Sequence, residues 1–132
     1  MTWEWITGFY EGEGSVALTT SGKRGKAKYL CIKIGQKERA ILEKIHDFLL
    51  NDSGIKSSIW EGINHNKFYN KDYTFCALSI NSPSSLTFIY KILPLMQHER
   101  KIKQLMDKIA LCYGPAKLVS KHSGASLSTS YA

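Results

Sequence analysis

The chain has 132 residues, 43% of them hydrophobic, and a formal net charge of +7 from 18 Lys and Arg against 11 Asp and Glu. That length supports one domain with a real core and leaves little room for a second. The basic balance points to an anionic partner, nucleic acid or membrane surface, while no apolar run approaches the ~18 residues of a transmembrane helix, so no membrane span is expected. The N-terminus has no signal-peptide pattern, and an intracellular, not secreted, protein is expected. Cys31, Cys76 and Cys112 are odd in number and lack C-x-x-C spacing, which suits free thiols in a reducing compartment and argues against a zinc site. His46, His65, His98 and His122 are scattered and form no ligand cluster.

In chain order, Trp5-Ile6-Thr7-Gly8-Phe9-Tyr10-Glu11-Gly12-Glu13-Gly14 reads as a short apolar helix that ends in two carboxylates set between glycines. Gly8 and Gly12 are four apart, so they share one helix face and leave it bare enough for a second helix to approach closely. Gly12 and Gly14 can take φ > 0 and end the helix. Glu11 and Glu13 then fall at the negative end of the helix dipole, where anions are disfavoured. A divalent metal is the positive group that best fits two acids so placed.

Ser15 to Thr20 alternates as a half-buried strand, and the basic turn Ser21 to Lys26 leads to a second strand from about Ala27 to Gly35. In that strand Leu30, Ile32 and Ile34 face the core, and Tyr29, Cys31 and Lys33 face outward. Lys37 to Leu50 is an amphipathic helix with Ile41, Leu42, Ile45, Phe48 and Leu49 as its stripe, ended by Asn51 to Gly54. Two more strands are predicted over Ile55 to Ile63 and Phe68 to Ile80, around a polar turn Asn64 to Lys67. Ser84 to Leu93 is helical after Asn81-Ser82-Pro83. Pro94 precedes a last helix, about Met96 to Cys112, stopped by Gly114-Pro115, and a Ser-rich tail follows. Paired strands between helices argue an α+β fold with an antiparallel sheet.

If the two hairpins join in one sheet, its outward side carries Lys23, Arg24, Lys26, Tyr29, Lys33, Lys56, Ser58, Trp60, Lys67, Tyr69 and Lys71, with few acids. Lys and Arg supply phosphate contacts. Polar side chains on strands can reach base edges in a major groove wide enough for a β-ribbon.

Ile6-Thr7-Gly8-Phe9-Tyr10-Glu11-Gly12-Glu13-Gly14 resembles the signature helix of the LAGLIDADG homing endonucleases. Gly8, both acidic positions and Gly14 agree, with glutamate where aspartate is more familiar. The resemblance runs from Trp3 to about Tyr113. It implies an αββαββα core with an antiparallel β-sheet saddle and C-terminal helices, residues 1–114 forming the endonuclease domain and 115–132 a tail. It further implies that Glu13 binds Mg²⁺ with the Gly12 carbonyl beside it, and that Glu11 supports the structure near the metals. By the same resemblance Gln36, closing the second strand, would lie in the catalytic pocket, and Arg39 is a candidate for contacting the region of the scissile phosphate. The family's late basic residue would align with Glu99, so its neighbours Arg100, first, and Lys101, second, are the candidates. Single-motif members work as homodimers, which places Trp5, Gly8, Phe9 and Gly12 at the interface and brings two Glu13 side chains together, a repulsion that Mg²⁺ relieves. The implied function is Mg²⁺-dependent, site-specific double-strand DNA cleavage of a long pseudo-palindromic target. The alternative is a non-cleaving nucleic-acid-binding protein, such as an RNA-splicing maturase on the same fold.

Overall fold

Thr2 opens the first helix by accepting a hydrogen bond from the Trp5 backbone N–H, which satisfies one of the donors a helix start leaves orphaned. The computed structural model describes residues 1–21 and 27–114. Within them the order is α1 (Trp3–Glu13), β1 (Gly14–Ser21), β2 (Ala27–Gln36), α2 (Arg39–Ser53), β3 (Ser58–Asn66), β4 (Lys71–Ile80), α3 (Ser84–Ile92), a 3₁₀ turn (Leu93–Leu95) and α4 (Glu99–Tyr113). This is the expected α+β arrangement of helix, hairpin, helix, hairpin, helix, helix.

The strands form one antiparallel sheet in the order β1-β2-β4-β3. Because side chains alternate along a strand, the register sorts every residue to one side. Gly14, Ile34, Leu78 and Ile59 form one row, and Val16, Ile32 and Ile80 the next. These rows face the helices and meet Ile6 and Tyr10 from α1, Leu42, Ile45 and Leu49 from α2, Phe88, Ile89 and Ile92 from α3, and Ile102, Leu105 and Ile109 from α4. The predicted inward set Leu30/Ile32/Ile34 is buried, as are Cys76, Leu78 and Ile80 on β4.

Three local expectations need correction. Neither Gly12 nor Gly14 adopts positive φ, since only Gly54 and Gly114 do so among the described glycines. Gly14 is extended and is needed for space: a Cβ there would lie 2.7 Å from Tyr10 Cε1 and 2.8 Å from the Tyr10 carbonyl oxygen. α2 starts at Arg39 because the Gln36 side chain accepts the Lys37 N–H at 2.8 Å and keeps that segment out of the helix. Finally, the β3–β4 turn spans residues 67–70 and not Asn64 to Lys67. Asn66 Oδ1 accepts from the Phe68 and Tyr69 N–H groups, and Asn70 takes φ 48°, the local bonding that makes Asn a turn former. Lys56 therefore precedes β3, and Lys67 and Tyr69 sit at the hairpin tip.

The outer half of that hairpin extends beyond the helices. Ile63 is on the helix side of the sheet yet 69% exposed, and Phe68 at the tip is 87% exposed.

Tyr10, at the centre of the signature helix, is fully buried against Phe88, and burial pushes its phenol far above the usual tyrosine range. Its hydroxyl has no hydrogen-bond partner among the described residues. An unpaired buried hydroxyl costs about 1–3 kcal/mol. Tyr10→Phe is therefore expected to raise stability by ~1 kcal/mol, visible as a Tm increase of roughly 3 °C. A Tm decrease would show that the hydroxyl is satisfied.

Candidate active site and nucleic-acid interface

Helix α1 has two unlike sides. Ile6, Thr7 and Tyr10 are buried in the chain's own core, whereas Trp5, Gly8, Gly12 and Glu13 are exposed. Trp5 and Phe9 stack at 5.0 Å between ring centroids with an interplanar angle of 12°. Beyond the adjoining residues and the helix's own backbone, no described atom lies within 4 Å of where a Cβ would stand on Gly8 or Gly12. The four residues expected at a dimer interface thus form one open face, bordered by a groove lined by Met1, Trp5, Ile41, Lys44 and Asp47.

The two acids of the motif part company. Glu11 turns to α4: its Oε2 accepts from the Gln97 N–H at 3.0 Å and from the His98 N–H. His98 is the residue that caps α4, so the carboxylate sits at the positive end of another helix, which offsets its unfavourable place at the end of α1. α4 answers with Lys101, whose Nζ donates to the Gly14 carbonyl at 2.7 Å. These bonds lock the end of α1 to the start of α4. Glu11→Ala should cost about 0.5–2 kcal/mol, the usual loss when a side chain stops capping exposed N–H groups at a helix start, measured by urea unfolding. A loss below a few tenths of a kcal/mol would mean water replaces the carboxylate without penalty.

Glu13 is left exposed, at the junction of α1 and β1. Gln36 closes β2 at the same end of the sheet, since Gly14 pairs with Ile34. Lys101 reaches this end through Gly14; Arg100 is exposed on α4, where the described contacts give it no partner. Arg39 is directed elsewhere. Its Nη1 donates to Glu61 and its Nε to Glu43, each at 2.9 Å, and these carboxylates hold the guanidinium charged by raising its pKa, Glu61 most. Glu61 belongs to β3, the edge strand farthest from β1. Both pairs are exposed and such pairs are readily exchanged for another anion.

The donors near Glu13 are oxygens: its own carboxylate and the carbonyls of the last helical turn, which lack intrahelical partners. Such a set suits Mg²⁺, which takes few protein ligands and keeps waters. No cluster of three or more His, Cys, Asp or Glu exists among the described residues.

On the side of the sheet away from the helices, the register places Ser15, Ala17, Thr19, Tyr29, Cys31, Lys33, Gly35, Ser58, Trp60, Gly62, Asn64, Asn66, Lys71, Tyr73, Phe75, Ala77 and Ser79. Not one is acidic. Glu61 and Asp72, the strand carboxylates, both lie on the other side, where they pair with Arg39 and His65. Of the sequence-derived contact set, Tyr29, Lys33, Ser58, Trp60 and Lys71 are on this face. Lys67 and Tyr69 are at the hairpin tip, Lys56 lies in the connection before β3, and Lys23, Arg24 and Lys26 are outside the described residues, as is the tail from 115 to 132. What the sequence did not single out are Glu11's hold on α4, Glu61's on Arg39, and Phe75 beside Trp60.

A four-stranded antiparallel sheet with helices on one side and an acid-free face on the other defines the class of protein. The chain matches the LAGLIDADG-like domain over residues 3–93, from α1 into the 3₁₀ turn, and belongs to that family. α4, with Arg100 and Lys101, lies beyond the matched stretch. In fold it is similar to the LAGLIDADG meganuclease I-AabMI bound to uncleaved DNA, at 21% identity over 95% of this chain and 39% of that one, with a TM-score of 0.53. I-CpaMI, also bound to uncleaved DNA, gives 20% identity, 90% and 38% coverage and a TM-score of 0.58. The archaeal intron-encoded homing endonuclease I-Vdi141I, complexed with DNA, gives 21%, 98%, 76% and 0.54. The chain thus spans less than half the length of the first two. A comparison with curated protein sequences gives no match. No helix among the described residues is long and apolar enough to cross a membrane.

Proposed function

We propose that this protein is a Mg²⁺-dependent, site-specific double-strand DNA endonuclease that works as a homodimer. The observation that carries the reading is the division of labour on α1: Glu11 is bound to α4, while Glu13 stays exposed at the end of an open glycine face. A second copy packed there by a two-fold axis brings a second Glu13 to the first and completes the oxygen donor set. The family match and the DNA-bound state of the structural relatives support the substrate.

In this reading Glu13 and the Gly12 carbonyl hold Mg²⁺, which supplies charge neutralisation at the phosphate and a more acidic water. The Gln36 amide orients the attacking water. Lys101, fixed at the motif's end, offsets charge developing on the phosphate. Arg100 lies one residue away and contacts the backbone of the duplex. Arg39 reaches a phosphate after exchanging its two exposed carboxylates. The acid-free sheet face lies against a major groove, and two such faces match the half-sites of a pseudo-palindromic target.

Incubation of the purified protein with DNA spanning its gene's insertion point, with Mg²⁺ and with EDTA, tests the reading. Mg²⁺-dependent cutting of both strands is expected, together with a dimer by sedimentation equilibrium. Metal-independent RNA binding without any cutting would favour a maturase instead.

A further inference from the structure

Trp60 stands on the acid-free face with 41% of its surface exposed, yet its indole is not free to turn. Nε1–H, the only hydrogen-bond donor an indole has, is given to Ser79 Oγ on the neighbouring strand at 3.1 Å. Phe75 packs edge-on against the ring, 5.4 Å between centroids at 83°. Phe75 is held in turn by Gly62 across from it, where a Cβ would come within 2.6 Å of the phenyl Cζ. The result is a fixed, purely apolar ledge in a face that otherwise carries lysine, serine, asparagine, two tyrosines and small residues.

Resting on the reading that this face lies in a DNA major groove, we infer that Trp60 selects a base bearing a 5-methyl group, thymine or 5-methylcytosine. The methyl group is the one apolar feature base pairs present in that groove. A ledge whose donor is already used has nothing to offer the N7, O6 or O4 acceptors, and placing it against them would leave them unpaired. Elsewhere on the same face, Lys33 on β2 and Lys71 toward the hairpin tip, with no carboxylate on that side of the sheet, supply the complementary charge for phosphates. RNA fits poorly on two counts: its uracil lacks the methyl, and its A-form major groove is too deep and narrow to admit side chains. Trp60 is three strands across the sheet from the Glu13 end of β1, on the order of 15 Å at ~4.8 Å per strand. Its effect is therefore on which duplex is bound.

The test begins with selection of duplexes from a random-sequence DNA library by the full-length protein in EDTA. In the recovered duplex each thymine is then replaced singly by deoxyuridine, and Kd is measured for the wild type, Trp60→Phe and Trp60→Ala. One position is expected at which the wild type loses about fourfold in affinity, the equivalent of one buried methyl group. Trp60→Phe, which keeps an apolar ring and discards the N–H, should retain that ratio. Trp60→Ala, checked for an unchanged circular-dichroism spectrum, should bring it to about one. Equal Kd for thymine and deoxyuridine at every position overturns the inference while leaving DNA binding intact. Loss of the ratio in Trp60→Phe also overturns it, by showing that the N–H does the reading. Recovery of no preferred duplex removes the reading of the face as a DNA interface, and the inference with it.

Discussion

Glu13→Gln is expected to lower Mg²⁺-dependent cleavage by about a thousandfold, the several kcal/mol that metal-assisted charge stabilisation contributes to such transition states. The substitution keeps the shape and removes the charge. Glu13 is exposed and outside the clasp formed by Glu11, so stability should change by no more than about 0.5 kcal/mol. Losing an anion at the end of α1 slightly favours the helix. Duplex affinity in EDTA should hold, because the sheet face is untouched. Cleavage within about threefold of wild type would remove Glu13 from the chemistry and assign the metal to other groups.

Gly8→Leu separates the interface from the fold. Leu is the better helix former by about 0.8 kcal/mol, and beyond the adjoining residues and the helix's own backbone no described atom lies within 4 Å of the new Cβ. The protomer should fold as well as before or better. In a two-fold interface each substitution occurs twice, and two overpacked leucines cost on the order of 4 kcal/mol, roughly a thousandfold in the dimer's Kd. Sedimentation equilibrium should find a monomer, and cleavage should fall with dimerisation. A Gly8→Leu protein that remains a tight dimer would place the partner on another surface. The contrast with Gly14 is instructive. There an added Cβ runs into Tyr10, so of the motif's three glycines Gly14 serves the chain's own packing, while Gly8 and Gly12 leave an open face.

What could be read in the sequence follows from how local each cause is. Alternation put Leu30, Ile32 and Ile34 on the correct side because that face of β2 is fully buried while Lys33 on the other reaches solvent, although Cys31 beside it is covered. The same logic failed for the β3–β4 turn. From Ile63 to Asn66 and back through Thr74 the hairpin has solvent on both sides, so no hydrophobic pattern marks it as strand; only the turn chemistry of Asn66 and Asn70 does. Glu11's role was beyond reach of spacing, since its partners Gln97 and His98 are 86 and 87 residues away. The unlike settings of Arg100 and Lys101 likewise depend on the rotation of α4 about its axis. That rotation half-buries Lys101 against Gly14 and leaves Arg100 in water. Composition could suggest a basic face, but only register shows that Glu61 and Asp72 fall on its reverse.

The overhanging half of the β3–β4 hairpin has a consequence for how such a protein changes over time. Residues between Ile63 and Thr74 bury little against the helices, so substitutions there leave the core packing intact and fall mainly on whatever the strands touch. Recognition can drift in this segment at almost no folding penalty, while the residues around Glu13, tied to α4 and to Tyr10, cannot. In the endonuclease proposed above, a lineage that must follow a moving target is served by that separation of a variable recognition segment from a constrained metal site.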